Sequence, residues 1–177
     1  MNLDDANWLA HSVLGIALLF GRGQTESAVG EAMQAVRLNP SSSMARHILG
    51  CALDFAGRQE ESIPHLEAVF RLDPLYSNRA AAYADLALAT LLLGDTRAAV
   101  DWARKTVDAD PDYVRGRQRL VAALSAAGDM EQARAELAVV RQQQPGFSLD
   151  YVRRTYPLAD PEQASRFLAW LEAAGVT

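Results

Sequence analysis

Apolar residues recur at helical spacing along most of this chain, as in the run Leu9, Val13 and Ile16, and breaker residues interrupt them at regular positions. Four glycines follow one another at intervals of 34, 37 and 34 residues: Gly23, Gly57, Gly94 and Gly128. Four prolines, each after a polar residue, keep the same intervals: Asn39-Pro40, Asp73-Pro74, Asp110-Pro111 and Gln144-Pro145. A period of this length is typical of stacked helix pairs, since one pair alone cannot bury its apolar face.

The pattern predicts eight helices in four pairs, followed by a tail with two more. The predicted bounds are about Asp4–Phe20, about Thr25–Leu38, a third helix to about Ala56, about Gln59–Leu72, and two pairs flanking Gly94 and Gly128. The expected N-caps are a serine among residues 41–43, Asp95 or Thr96, and Asp129. Three extra residues between Pro74 and Gly94 predict a longer loop or an added helical turn.

Small residues occupy the positions where the two helices of each pair must approach closely. They are Gly15, Gly50 and Ala87 on first helices, and Ala28, Ser62, Ala99 and Ala133 on second helices. With the phased Gly and Pro residues, this pattern resembles the tetratricopeptide repeat. Residues 45–74 are the clearest copy. The resemblance implies an all-α, right-handed solenoid of four helix pairs with a C-terminal two-helix cap.

The repeats are expected to span residues 1–145, with pairs at about 4–40, 41–74, 75–111 and 112–145. Residues 146–177 are expected to form two capping helices, the second beginning at Asp160-Pro161 and ending at Gly175. Phe167, Leu168 and Leu171 should bury their side chains against the eighth helix and its neighbours.

The tail also resembles the segment that closes the repeat region of many bacterial class III nucleotide cyclase-like signalling proteins and some winged-helix regulators. The matching residues are Pro145, Phe147, Ser148, Leu149, Arg153, Pro157, Leu158, Asp160, Pro161, Phe167, Leu168, Leu171 and Gly175. The sequence departs from that pattern because no cyclase or DNA-binding domain precedes the repeats. We therefore expect either an excised fragment or a stand-alone relative, and nucleotide-cyclase activity is not carried over.

Composition narrows the class of protein. The net charge of −5 argues against a broad nucleic-acid surface. Arg115, Arg117 and Arg119 do not share one helical stripe, so we interpret them as a solvated helix start, with contact to DNA as the lesser alternative. Cys51 is the only cysteine, and no apolar stretch is long enough to span a bilayer. We therefore expect a cytoplasmic protein that does not bind a membrane. The excess of arginine over lysine suggests a bacterial source.

Catalytic and metal-binding patterns are weak. His47 and Cys51 lie four residues apart on one helix, but two ligands leave a zinc site incomplete. Gly21-Arg22-Gly23 lacks the preceding strand and the third glycine of a dinucleotide-binding fingerprint. We predict no enzyme activity and no cofactor.

The repeat resemblance implies that first helices line a concave groove that binds partners. The groove positions map to His47, Cys51, Asp54, Phe55, Ala84, Leu88, Leu91, Leu92, Gln118, Ala122 and Ser125, with Arg115 at the rim; Leu9, Ile16 and Leu19 or Phe20 are expected from the first pair. This face is mostly apolar, and it lacks the Lys and Asn of the family's clamp for C-terminal carboxylates. An alternative is that these residues are core, or that the tail or another copy of the chain covers them.

Three functions remain open. The first is a non-catalytic module that binds a peptide or helix on its concave face. The second is a regulatory domain of a bacterial signalling protein. The third is a small-molecule-binding or accessory protein. An apolar face could also pair two copies into a homodimer.

Overall fold

The computed structural model describes residues 7–177, and all of its regular structure is helical. The helices are α1 Trp8–Arg22, α2 Thr25–Leu38, α3 Ser43–Phe55, α4 Gln59–Leu72, α5 Arg79–Leu92, α6 Thr96–Ala109, α7 Val114–Ala126, α8 Met130–Gln143, α9 Leu149–Thr155 and α10 Pro161–Ala174. The predicted number and order of helices are confirmed. The expected start of the first helix near Asp4 lies outside the described residues; within them, α1 begins at Trp8.

Side chains cap the N-termini of several helices: Ser42, Asp95 and Asp129 were predicted, whereas Asn7 was not. The Asn7 side chain accepts from the backbone N–H groups of Leu9 and Ala10 at the start of α1. Ser42 caps α3, Asp95 caps α6 and Asp129 caps α8 in the same manner. These bonds satisfy N–H groups that have no partner inside the helix.

Glycine ends the first helix of each pair because the chain must turn through a left-handed conformation there. Gly57 has φ of +82° and Gly94 has φ of +90°, values that cost little only without a Cβ. The inserted residues predicted before Gly94 are divided between loop and helix. The loop before α5 covers 73–78, against 39–42 and 110–113 before α3 and α7, and α5 has 14 residues against 13 in α3 and α7.

The chain divides into two compact units. The first runs to Ser77 and also includes Tyr156–Asp160 from the tail. In it, α1 packs against α2 and α3, α2 packs against α3, and α3 packs against α4. Gly50 allows the closest approach: a Cβ there would lie 2.6 Å from Leu66, and the Ser62 hydroxyl donates to the Gly50 carbonyl over 2.9 Å.

The second unit comprises Asn78–Thr155 and Pro161–Thr177. In it, α5 packs against α6 and α7, α6 packs against α7, and α7 packs against α8. The last helix, α10, packs against α7, α8 and α9. Phe167 and Leu171 are fully buried, as predicted, whereas Leu168 is only half-buried.

Candidate functional site

The candidate positions of the first unit lie on α1 and α3. On α1, Leu19 is fully buried and Ile16 is half-buried, whereas Leu9 and Phe20 are exposed. Helix α3 is buried along almost its whole length. His47, Cys51, Asp54 and Phe55 each expose less than a tenth of their surface. His47 packs edge-on against Tyr76, with ring centroids 5.6 Å apart, and its Nδ1 lies 3.1 Å from the Tyr76 hydroxyl. The Gln59 amide donates to the backbone carbonyl of Asp54 over 2.8 Å. These polar groups hold α3 against the residues that follow it.

His47 and Cys51 do not recruit further metal ligands. Across residues 7–177, no three His, Cys, Asp or Glu side chains come close enough together to hold a metal ion. The imidazole of His47 instead faces a tyrosine, so its role in the structure is packing and hydrogen bonding.

A short segment of the tail, Tyr156–Asp160, lies against the end of α3. The backbone N–H of Ala159 donates to the carbonyl of Phe55 over 2.8 Å. The rings of Phe55 and Tyr156 are 6.2 Å apart, and Phe20 meets Phe55 edge-on at 5.4 Å. Asp160 also lies near Gly57, where a Cβ would be 3.6 Å from the aspartate side chain. The predicted groove position Phe55 is therefore covered by the chain itself.

The candidate positions of the second unit are on α5 and α7. On α5, Ala84, Leu88, Leu91 and Leu92 are buried. The carbonyl of Leu92 accepts a hydrogen bond over 3.3 Å from the guanidinium of Arg166 on α10. The tail helix is thus tied to the end of α5 through a backbone atom that the helix leaves without an internal partner.

On α7, Gln118, Ala122 and Ser125 are also buried. Gln118 donates from Nε2 to Oε1 of Gln144 over 2.7 Å. Arg115, the predicted rim residue, is half-buried and donates to the carbonyl of Thr155 over 3.0 Å. That bond connects α7 to the last residue of α9. The predicted groove positions on α5, and Gln118, Ala122 and Ser125 on α7, are therefore buried by residues of the chain itself.

The interpretation of Arg115, Arg117 and Arg119 as a solvated helix start is wrong. Arg119 is 1% exposed and its Nη1 lies 2.5 Å from Oδ1 of Asp85. Arg117 is buried too and pairs with Glu136. Helical periodicity assigns charged residues to solvent, so it missed two arginines that have carboxylate partners inside the second unit. The 34-residue separation of Asp85 and Arg119, one repeat length, is the signal that could have found the first pair.

One open cleft of about 380 Å³ lies in the first unit, lined by Arg46, Pro64, His65, Ala68, Arg71 and Leu72. Arg46 Nη1 lies 3.3 Å from Nδ1 of His65. Partial burial and the nearby Arg46 charge lower the pKa of His65 below its ordinary value, although Glu61 opposes them. Periodicity within one helix does not predict this cleft, because its residues come from α3 and α4.

Comparison with known proteins supports the repeat assignment. Residues 90–152 match the family model described as tetratricopeptide repeat. No curated protein matches the chain. Within the described residues, no helix has both the length and the apolar character needed to cross a bilayer.

Several solved structures resemble this one. PilW, a widely conserved type IV pilus biogenesis factor, has 19% identity and a TM-score of 0.74, covering 96% of this chain and 79% of PilW. YrrB, a tetratricopeptide-repeat protein with an unusual peptide-binding site, has 18% identity and a TM-score of 0.60, covering 97% and 86%. A thermophilic repeat protein of Thermus thermophilus has 14% identity and a TM-score of 0.70, covering 94% and 100%. The chain therefore has an all-α fold of the tetratricopeptide-repeat type.

Proposed function

We propose that this chain is a non-catalytic protein-interaction module that binds a peptide or helix through the first-helix face of its repeats. The observation that carries the proposal is the position of α10, an amphipathic helix packed against α7 with Phe167 and Leu171 fully buried. A face that accommodates one amphipathic helix has the chemistry to accept another with the same spacing of apolar side chains.

The chemistry of the candidate residues indicates which kind of helix would bind. Leu88, Leu91 and Ala122 supply apolar side chains that are fully buried in the structure. Arg115 supplies a guanidinium that bonds a backbone carbonyl at the end of α9. A suitable partner helix would present large apolar side chains four residues apart, as Phe167 and Leu171 are, and a carbonyl end within reach of Arg115. Because α10 packs against α7 in the structure, a partner helix that binds α7 there must displace it.

The fold supports this class of function. Tetratricopeptide arrays generally act as scaffolds, and YrrB is a protein of this fold with a peptide-binding site. The assignment of residues 1–145 to four repeats and residues 146–177 to a cap is part of the same proposal.

A labelled peptide of residues 161–176 tests the proposal. Phe167→Glu combined with Leu171→Glu in the full chain should release α10, because two buried carboxylates are strongly disfavoured. The released face should then bind the peptide more tightly than the wild-type chain does. Ala173→Glu places one such carboxylate on the exposed side of α10 and serves as the control. If the double variant keeps its circular dichroism spectrum yet binds no peptide, the face does not accept helices.

A role as a regulatory domain of a bacterial signalling protein is the alternative, and the motif of the tail favours it. A regulatory domain of this kind would be cytoplasmic. The single cysteine agrees with that location, because it cannot form a disulfide within the chain. Expression of the gene with its neighbours, followed by affinity purification, separates the two: a cyclase-like or DNA-binding partner would favour the alternative. For a small-molecule role, the cleft beside His65 is the place to look for a bound compound by native mass spectrometry.

A further inference from the structure

Helix α1 carries an unusual amount of exposed apolar surface. From Trp8 to Gly21 it contains no Asp, Glu, Lys or Arg. Val13 is 56% exposed, and Leu9 and Phe20 are 44% and 42% exposed. A helix that is apolar on all sides is normally buried, and a contiguous exposed apolar surface marks an interaction site.

The exposed residues of α1 occupy repeat positions whose equivalents on α3 and α7 are buried. Gly15 of α1 corresponds to Gly50 of α3, so Ala10, Val13 and Ala17 correspond to Ala45, Ile48 and Ala52. Gly57 corresponds in the same way to Gly128. The residues of α7 that correspond to Ala45, Ile48 and Ala52 are therefore Gly116, Arg119 and Ala123. Every member on α3 and α7 is buried. On α1, Ala10 is half-buried and both Val13 and Ala17 are exposed.

Helices of the preceding pair account for this burial. Within the first unit, α3 packs against α1 and α2; within the second, α7 packs against α5 and α6. The approach is close: a Cβ at Gly116 would lie 2.1 Å from Cγ2 of Thr106 on α6. In the described part of the chain no helix precedes α1. The exposed face of α1 therefore resembles the faces of α3 and α7 that pack against neighbouring helices. Ala10 and Ala17, on either side of Val13, leave room for another helix to approach.

We propose that α1 of a second copy of this chain packs antiparallel on this face, across a two-fold axis between Val13 and Leu14. Ala10 and Ala17 lie equally far from that midpoint, so Ala10 of one copy meets Ala17 of the other and the backbones can approach closely. Consecutive helices joined by short loops run antiparallel. The second α1 thus takes the orientation that α2 has on α3.

Charge and symmetry also favour a second copy as the occupant. Across a two-fold axis, a residue near the axis lies close to the same residue of the other copy. A charged side chain there would repel its equivalent in that copy. The stretch from Trp8 to Gly21 has no such charge. A single helix pair buries less area than a standard stable interface, so the dimer should dissociate on dilution.

Sedimentation equilibrium of the full chain over a wide concentration range tests the proposal. The wild-type chain should show a monomer–dimer equilibrium. Val13→Glu should weaken association by about 100-fold or more, because it sets two carboxylates together at the axis. Leu75→Glu, at a loop residue that is 82% exposed, should leave association unchanged. A wild-type chain that stays monomeric throughout would overturn the proposal and point to a helix of another protein.

Cysteine cross-linking tests the orientation and does not depend on the glutamate variant. In the antiparallel pair, thiols introduced by Val13→Cys lie close enough for a disulfide between copies. Thiols introduced by Phe20→Cys lie about 20 Å apart along the axes and should not couple. Cross-linking of the first variant alone supports the proposal. If both variants cross-link, the two helices are parallel. If neither variant cross-links although the chain dimerises, the dimer forms through another face. Either result overturns the proposal.

Discussion

Asp85 and Arg119 form a buried ion pair across one repeat length, with Oδ1 and Nη1 2.5 Å apart. The two residues occupy corresponding positions on α5 and α7, where an apolar pair would be the simpler choice. In the first unit the corresponding residue of α3 is Ile48, which is buried. The second unit thus holds its two first helices together with charge at a position where the first unit uses an apolar side chain.

Removing one partner of this pair should be costly. Asp85→Ala leaves the Arg119 guanidinium buried without its carboxylate, so we expect the free energy of unfolding to fall by about 3–5 kcal/mol. Chemical denaturation measures the change. The exposed pair of Asp150 and Arg153 is the matched control, since Arg153→Ala should cost about 1 kcal/mol or less. Equal effects at the two sites would show that the buried pair is not what stabilises α5 against α7.

The buried candidate Leu88 gives a second prediction. Its side chain has no exposed surface, so Leu88→Ala should lower the free energy of unfolding by about 2–5 kcal/mol. Leu93, the residue that follows the same helix, is 46% exposed and is the control. Leu93→Ala should cost less than about 1 kcal/mol. If the two variants melt alike, Leu88 is accessible in solution and belongs to an open groove.

The sequence predicts this fold well because its signals are local. Helix ends follow from glycines that need a left-handed conformation, as at Gly57, and from carboxylates that cap, as at Asp95 and Asp129. Periodicity also finds the buried side of α10, where Phe167 and Leu171 lie. Each of these signals is contained within one helix and its adjacent loop.

The occupancy of the candidate site could not be predicted in this way. The bond from Ala159 to Phe55 and the bond from Arg166 to Leu92 join residues distant in sequence. Periodicity within a helix shows that a face is apolar, but it does not identify which segment covers it. Periodicity fails to predict the burial of Arg119 for the same reason, because its partner Asp85 lies one repeat away in the sequence.

Tight packing between paired helices predicts that enlarging Ala99 or Ala133 is harmful. Both side chains are fully buried. Ala99→Leu and Ala133→Leu should each lower the free energy of unfolding by about 1–3 kcal/mol, because the inserted atoms force neighbouring helices apart. Ala138→Leu, on the exposed side of α8, should have little effect. Thermal melts of the three variants, made side by side, check the assignment; unchanged melts for both Ala99→Leu and Ala133→Leu would contradict it.

The lowered pKa of His65 predicts a pH dependence. Burial, followed by the Arg46 charge, favours the neutral imidazole in the folded state. Between this lowered pKa and the unfolded value near 6.5, the unfolded chain binds more protons, so stability falls as the pH falls through that window. His65→Gln should remove this part of the pH dependence. Thermal melts at a series of pH values from neutral downward measure it, and parallel curves for both proteins would refute the assignment.

The tail supplies the last prediction. Deleting residues 147–177 removes α10 from α7 and exposes apolar side chains on the first-helix face, so the shortened chain should be less stable and should aggregate. Light scattering and the binding of a hydrophobic dye measure the exposure. Deletion of Thr177 alone, which removes the terminal carbonyl that accepts from Leu149, should have a much smaller effect.

The same deletion separates a permanent cap from a displaceable one. If the shortened chain aggregates, and the 161–176 peptide in excess restores the light scattering of the full chain, the face binds α10 reversibly and a partner helix could replace it. If the peptide does not restore the light scattering of the full chain, α10 belongs to the core of the second unit, and the proposed partner must bind elsewhere. A shortened chain that does not aggregate and is as stable as the full chain would show that the tail is not a cap.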